Sequence, residues 1–359
     1  MWPLLPLSWL YGLGVQLRLW AYQRHWLSAY APEVPVISIG NLTTGGTGKT
    51  PIVVELARGL IRAGKRVVVL SRGYGASEPL AYGRAIHPQH GDEAYMIQTQ
   101  VPKAVVIVGR DRVQTLQQAI TEHQPDYILL DDGFQYLRLN RAMNILLIDG
   151  ARLLGNGQLL PAGPLREPLA QLRRADLIFV TQAVTQESMN TIQGWMQRYG
   201  KAETPILPVP FQLIGLQAVA PPPPLYRFNS PEMTALLDRP VIAVCGIANP
   251  AGFEQGLRAQ GFQLTHCLRF ADHHVYTEQD VQAIAARFHQ HQAEQPLLIT
   301  TEKDLPKLLP WLSQSIQEHT YTLQRQPTLD GRWFYDEFIS QIPGLAETEA
   351  HAHPSTPSR

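Results

Sequence analysis

The segment Gly40-Asn41-Leu42-Thr43-Thr44-Gly45-Gly46-Thr47-Gly48-Lys49-Thr50 constrains this chain more than any other. It follows an apolar run, Pro35–Gly40, and precedes a stretch with helical spacing, Pro51–Ala63. A glycine-rich turn between a strand and a helix aims backbone N–H groups inward, and the positive end of the helix faces the same point. Such a turn cradles phosphate oxygens. Thr44, Gly45, Gly46, Thr47, Gly48, Lys49 and Thr50 are therefore expected to bind a nucleotide, ATP. Lys49 would neutralise its β- and γ-phosphates, and Thr50 would ligate Mg2+. The common pattern has a glycine where this chain has Thr43.

From Pro35 onward, short β-branched runs alternate with helical stretches such as Arg112–His123. The runs are Pro35–Gly40, Arg66–Ser71, Ala104–Gly109, Tyr127–Asp131, Asn144–Asp149 and Leu177–Thr181. They are continuously apolar, as parallel strands buried on both faces must be. The expected fold class is α/β, a P-loop NTPase-like doubly wound parallel sheet. Residues 204–224 carry seven prolines, ending in Pro221–Pro224, and read as a linker or an edge segment. The α/β rhythm then resumes at Val241–Gly246, Gln263–Phe270, Pro296–Thr300 and Tyr321–Gln324, giving a second, smaller α/β domain. The expected organisation is an N-terminal helix (1–30), a P-loop domain (31–203), a Pro-rich linker (204–235), the second domain (236–345) and a disordered tail (346–359).

Thirty basic and 30 acidic residues cancel, which argues against a duplex nucleic-acid binder. Two cysteines, Cys245 and Cys267, make neither a disulfide framework nor a four-thiolate zinc site.

The amino terminus differs from the rest. Arg18 is the first charged residue, Arg24 the next, and no acid precedes Glu33. Trp2, Trp9, Trp20 and Trp26 are four of the seven tryptophans, and Tyr11, Tyr22 and Tyr30 join them. The stretch is short for a spanning helix and lacks the basic start of a signal peptide. The reading adopted is an interfacial helix over about residues 6–30, its aromatic face on a membrane and its arginines toward headgroups. A helix packed on the protein's own core is the competing reading.

Further residues suggest phosphoryl transfer. Tyr127–Asp131 followed by Asp132 is an apolar strand ending in two carboxylates, and Asp131 and Asp132 are candidate metal ligands. Asp92, in Gly91-Asp92-Glu93, is a candidate general base or a helix cap. His273, in Asp272-His273-His274, would meet Asp92 if the domains close over one cleft. Arg72, Arg110, Arg112, Arg138 and Arg166 lie near the expected C-terminal strand ends, where anions bind in open α/β sheets.

The Gly45–Thr50 core resembles the divergent loops of MinD and nitrogenase-iron-protein NTPases, although Thr44 stands where that class usually has a lysine. The chain as a whole resembles the tetraacyldisaccharide 4′-kinase family of lipid A synthesis. The matching elements span almost its whole length: Ser38–Leu42 with Gly45–Pro51, Ser71-Arg72-Gly73-Tyr74, Gly91-Asp92-Glu93, Asp131–Gln135, Gly155-Asn156-Gly157, Leu160–Glu167, Asp272-His273 and Thr301–Asp304. The resemblance implies that ATP phosphorylates the 4′-hydroxyl of a tetraacylated glucosamine disaccharide 1-phosphate. It implies Mg2+, and catalysis at the cytoplasmic face of the bacterial inner membrane, with the lipid and the membrane surface as partners. Neither nucleic acid nor an obligate protein partner is expected. It assigns catalysis to Asp92 and His273 and metal binding to Asp131 and Asp132, with Arg112, Arg166 and Glu167 lining the site. The rival class is a membrane-associated switch or partitioning P-loop ATPase acting on a protein partner. It leaves the second domain and Asp272-His273 unexplained.

Overall fold

The computed structural model of the chain describes residues 4–73, 91–219 and 224–329, together with residues 338 and 342. Tyr74, Pro221–Pro223 and the expected tail at 346–359 lie outside the described residues. The first part of the chain runs α1 (Leu5–Gln23), β1 (Val36–Asn41), α2 (Lys49–Arg62), β2 (Val67–Ser71), α3 (Asp92–Gln100) and β3 (Val105–Val108). It continues with α4 (Arg112–His123), β4 (Tyr127–Asp131), β5 (Met143–Asp149), β6 (Leu177–Thr181), α5 (Gln186–Tyr199) and β7 (Ile206–Val209). The second part runs β8 (Phe211–Ala218), β9 (Leu225–Arg227), α6 (Pro231–Leu237), β10 (Val241–Cys245), α7 (Pro250–Ala259) and β11 (Leu264–Arg269). It ends with α8 (Glu278–Gln290), β12 (Leu297–Thr300), α9 (Leu305–Leu308), α10 (Gln314–Gln317) and β13 (Thr320–Pro327).

The first seven strands form one parallel sheet in the order β3-β2-β4-β1-β5-β6-β7. Strands β1 and β4 are buried along their whole length, which is why their sequences do not alternate. One face packs on α2 and α3 through Ile52, Val53, Leu56, Leu60 and Ile97, and Phe338 and Ile342 complete that layer. The other face packs on α4 and α5. The loops leaving the C-terminal ends of β1 and β4, which pair directly, meet where ligands bind in such sheets.

Strands β8 to β13 form a second, mixed sheet in the order β11-β10-β12-β13-β8-β9. Strands β10 to β13 are parallel, and β8 pairs antiparallel with both β13 and β9. Residues 204–235, expected as a linker or an edge segment, hold β7 at the rim of the first sheet and two strands of the second. Their prolines fall where no ladder N–H is required: Pro208 lies in an edge strand, and Pro205 and Pro210 flank it. Between β7 and β8 only Pro210 intervenes, so the two sheets are joined without slack.

Gly40, in β1, ties this architecture to the phosphate loop. A Cβ there would lie 2.6 Å from Phe134 Cβ and 2.8 Å from the Phe134 backbone nitrogen. Phe134 is fully buried and cannot yield. Gly40→Ala is expected to cost about 1–3 kcal/mol in urea unfolding. A variant as stable as wild type would show that β1 and the Phe134 turn are not in fixed contact.

Candidate active site

The phosphate loop connects β1 to α2. Gly45 and Gly48 have φ of +96° and +82°, and a Cβ at Gly48 would come within 2.7 Å of the Phe211 ring. Both positions therefore require glycine. Helix α2 has no side-chain N-cap, which leaves its first N–H groups free for an anion. Thr44, Gly45, Gly46, Thr47, Gly48, Lys49 and Thr50 all lie on this turn, and Thr50 is buried at the start of α2. The loop is laced to its surroundings. Thr44 N–H donates to the Pro164 carbonyl and Arg166 N–H to the Leu42 carbonyl. Thr181 Oγ1 donates to the Thr47 carbonyl at 2.8 Å, and Arg152 to the Gly46 carbonyl at 2.7 Å.

Lys49 donates to Asn41 Oδ1 at 3.2 Å and lies 3.3 Å from Asp132. Arg166 meets both Asp132 oxygens, at 3.0 and 2.9 Å. Arg112, buried at the start of α4, holds the backbone of the same turn, donating to the carbonyls of Asp131 at 2.7 Å and Asp132 at 3.2 Å. Asp132 has a left-handed φ of +49°, a conformation that this set of contacts enforces.

The two adjacent acids occupy opposite electrostatic environments. Burial would raise the Asp132 carboxyl, but Lys49 and Arg166 outweigh it and hold the group at about 2. Asp131 is fully buried, and burial together with the charges of Glu93 and Asp132 pushes its carboxyl up to about 7. Its Oδ1 has no hydrogen-bond partner among the described residues. An orphaned carboxylate oxygen, buried and one residue from a second acid, suits a hard divalent cation. Among the described residues no three acids, histidines or cysteines converge, so a cation here would complete its shell with water and phosphate oxygens, as Mg2+ does.

Asp92 opens α3 and is buried. His273, in the loop after β11, has a φ of +59° and donates its N–H to the Gly246 carbonyl. Its Nδ1 lies 3.3 Å from Asp92 Oδ2, across the cleft between the two sheets and 181 residues away in sequence. Burial would raise the Asp92 carboxyl, but hydrogen bonds to His273 and Lys307 prevail and hold it below its ordinary value.

Of the five arginines expected at the strand ends, Arg112 and Arg166 reach the acids. Arg138 pairs at the surface with Asp111, the N-cap of α4, at 3.1 Å. Arg72 and Arg110 are exposed beyond β2 and β3. Glu167 pairs with Arg174. Sequence reasoning passed over Lys307, 2.6 Å from Asp92, and gave no role to Lys303, 3.7 Å from Glu93. Their signal was present, two lysines one helical turn apart beside Thr301–Asp304.

Asp131 provides a test of this electrostatic balance. Its folded carboxyl titrates above the unfolded one, so between about pH 4 and 7 the native state keeps a proton that the unfolded chain sheds. Stability therefore falls as pH rises through that window. In metal-free protein, Asp131→Asn should gain in melting temperature over wild type from about pH 5 to pH 8. A gap independent of pH would contradict the assignment.

The family model for tetraacyldisaccharide-1-P 4′-kinase matches residues 1–341. A tetraacyldisaccharide 4′-kinase of Geobacter sulfurreducens is 39% identical over 328 residues, 89% of this chain and 87% of the relative. Another, from Pelobacter propionicus, is 39% identical over 314 residues, 85% of this chain and 82% of the relative. The crystal structure of LpxK from Aquifex aeolicus in complex with ATP superposes with a TM-score of 0.71 at 29% identity, covering 95% of this chain and 98% of that one. The chain thus belongs to the tetraacyldisaccharide 4′-kinase family, ATP-dependent kinases of lipid A biosynthesis.

Proposed function

We propose that this chain transfers the γ-phosphoryl of ATP to the 4′-hydroxyl of a tetraacylated glucosamine disaccharide 1-phosphate. The observation that carries this reading is the Asp92–His273 couple, formed between the two sheets. An ATPase acting alone needs no such couple, whereas transfer to an alcohol requires a group to accept the hydroxyl proton. Lys49 and the open N–H groups of α2 bind the phosphates. Asp132, held by Arg166, fixes Lys49, and Arg112 fixes the turn that carries both acids. Asp92 accepts the 4′-hydroxyl proton, with the His273 ring orienting its carboxylate. Thr50, Asp131 and Asp132 would hold Mg2+, which when bound neutralises charge on the phosphates.

The seat of the reaction is the cytoplasmic face of the bacterial inner membrane. No helix among the described residues is long and apolar enough to cross a membrane. Helix α1 supports a shallower attachment. Ser8, Gly12 and Leu19 are its buried positions. Ser8 Oγ donates to the Leu159 carbonyl at 3.0 Å and accepts from Ala162 N–H at 2.9 Å, and Tyr11 OH donates to the Arg166 carbonyl at 2.8 Å. The opposite arc exposes Trp9, Leu10, Leu13, Leu17 and Trp20. Four acyl chains leave a bilayer at a cost of about 0.8 kcal/mol per CH2, so the enzyme has to meet its lipid at the surface.

The deciding measurement is transfer of label from γ-32P-ATP, with Mg2+, to the purified disaccharide 1-phosphate lipid in mixed micelles. Labelled lipid is expected from wild type and its loss from Lys49→Ala, while Asp92→Ala should lower kcat by about 100-fold or more. ATP hydrolysis without labelled lipid would overturn the reading in favour of a switch ATPase. For the membrane seat, replacing Trp9, Leu10, Leu13 and Leu17 by Gln should abolish flotation with anionic liposomes. Unchanged flotation would remove α1 from that role.

A further inference from the structure

Two lysines of the second domain reach the two acids that open α3. Lys307 Nζ lies 2.6 Å from Asp92 Oδ2, and Lys303 Nζ lies 3.7 Å from Glu93 Oε1. The segment carrying them is pinned from within. Asp304 is fully buried, and its Oδ2 accepts from Gly246 N–H at 2.9 Å and from Thr301 Oγ1 at 2.6 Å. The Gly246 carbonyl in turn accepts from His273 N–H at 3.2 Å. Helix α9, which carries Lys307, and the His273 loop thus share one anchor, and both side chains converge on Asp92.

The mechanism above gives Lys307 no part, yet its ammonium sits on the proton acceptor. The charged groups around Asp92 are Lys307, His273 with Asp272 at 4.0 Å beyond it, and neighbouring Glu93 with its partner Lys303. A carboxylate held this way is a poor proton acceptor, so the ammonium has to leave before Asp92 can act. Only a stronger anion can draw it off. A terminal phosphoryl group carries more negative charge than a carboxylate, and lysine is a flexible point-charge ligand for phosphate. A hydroxyl bound to Asp92 stands about 3 Å from the carboxylate, and a reacting phosphorus about 3–3.5 Å beyond it.

We propose that Lys307 is a ligand of the γ-phosphoryl supplied by the second domain, parked on Asp92 until the nucleotide arrives. The exchange couples the two halves of the site, because Asp92 is unmasked only when a γ-phosphoryl is present to take the lysine. This inference rests on the kinase reading.

The test is calorimetric titration of the full-length protein with Mg2+ and either ADP or the β,γ-imido analogue of ATP. In Lys307→Met, loss of the ammonium leaves bare Asp92 facing the γ-phosphoryl. The analogue should bind about tenfold more weakly and ADP within about twofold of wild type, with Lys307→Arg recovering most of the loss. Asp92→Asn releases the lysine and should tighten the analogue about threefold or more while leaving ADP unchanged. Wild-type affinity of Lys307→Met for both nucleotides would overturn the inference, since the lysine would then remain on Asp92. Equal losses for both would also overturn it, since the lysine would then support the fold and not the γ-phosphoryl. Failure of wild type to bind either nucleotide would instead defeat the kinase reading on which the inference depends.

Discussion

The pairing of Asp132 with Lys49 and Arg166 is the contact on which the rest of the site depends. It joins three segments: the first turn of α2, the turn after β4 and the loop that carries Leu160–Glu167. Each segment is also tied to its neighbours by backbone hydrogen bonds, as where Arg166 N–H meets the Leu42 carbonyl. The triad therefore fixes Lys49, proposed to bind phosphate, relative to the strand ends. Such preorganisation is worth most where charge develops during reaction. It also separates the chemistry of two adjacent acids. Lys49 and Arg166 hold Asp132 low, while at Asp131 burial and the charges of Glu93 and Asp132 outweigh Lys49 and Arg112 and push the carboxyl up, a shift that a divalent ion would reverse.

The second sheet completes a site that the first begins. Its antiparallel β8–β13 pairing starts one residue after β7, so the cleft wall is built directly from the rim of the P-loop sheet. Among the described residues, contacts across the cleft are both apolar, as where Phe211 of β8 packs against Gly48 and the first core, and polar. Besides the Asp92 and Glu93 pairs, Gln100 donates to Glu302 at 2.5 Å and Arg325 to Gln182 at 2.6 Å. Burial pushes the Glu302 carboxyl up to about 7, and Gln100, Gln324 and two arginines oppose it.

Helix α1 reconciles two readings that the sequence left in competition. Small residues, Ser8 and Gly12, let it lie close against the loop that carries Leu159 to Glu167, where a Cβ at Gly12 would stand 2.8 Å from Leu159 Cδ1. Its large residues face outward. Packing on the protein and exposure of an aromatic, leucine-rich surface are thus properties of opposite sides of one helix, and the inner side touches the loop that supplies Arg166.

Strand positions were legible because a strand buried on both faces is largely apolar, and β1, β4 and β6 are buried without interruption, with their polar residues, Ser38 apart, at the strand ends. The phosphate loop was legible because its chemistry is local: glycines, a lysine and a threonine within a few residues, between a strand and a helix. Strands β7 to β9 were legible only as a linker or an edge segment, because the seven prolines of 204–224 read as breakers; in the fold Pro208 lies in an edge strand and Pro205 and Pro210 flank it. The sequence marked Asp92, His273, Asp131 and Asp132 as chemically capable. Only tertiary structure brought Asp92 and His273 together across 181 residues and set Lys307 against them. It also shifted two identical neighbouring carboxyls in opposite directions, because charge state depends on burial and on partners distant in sequence, which neither residue type nor spacing encodes.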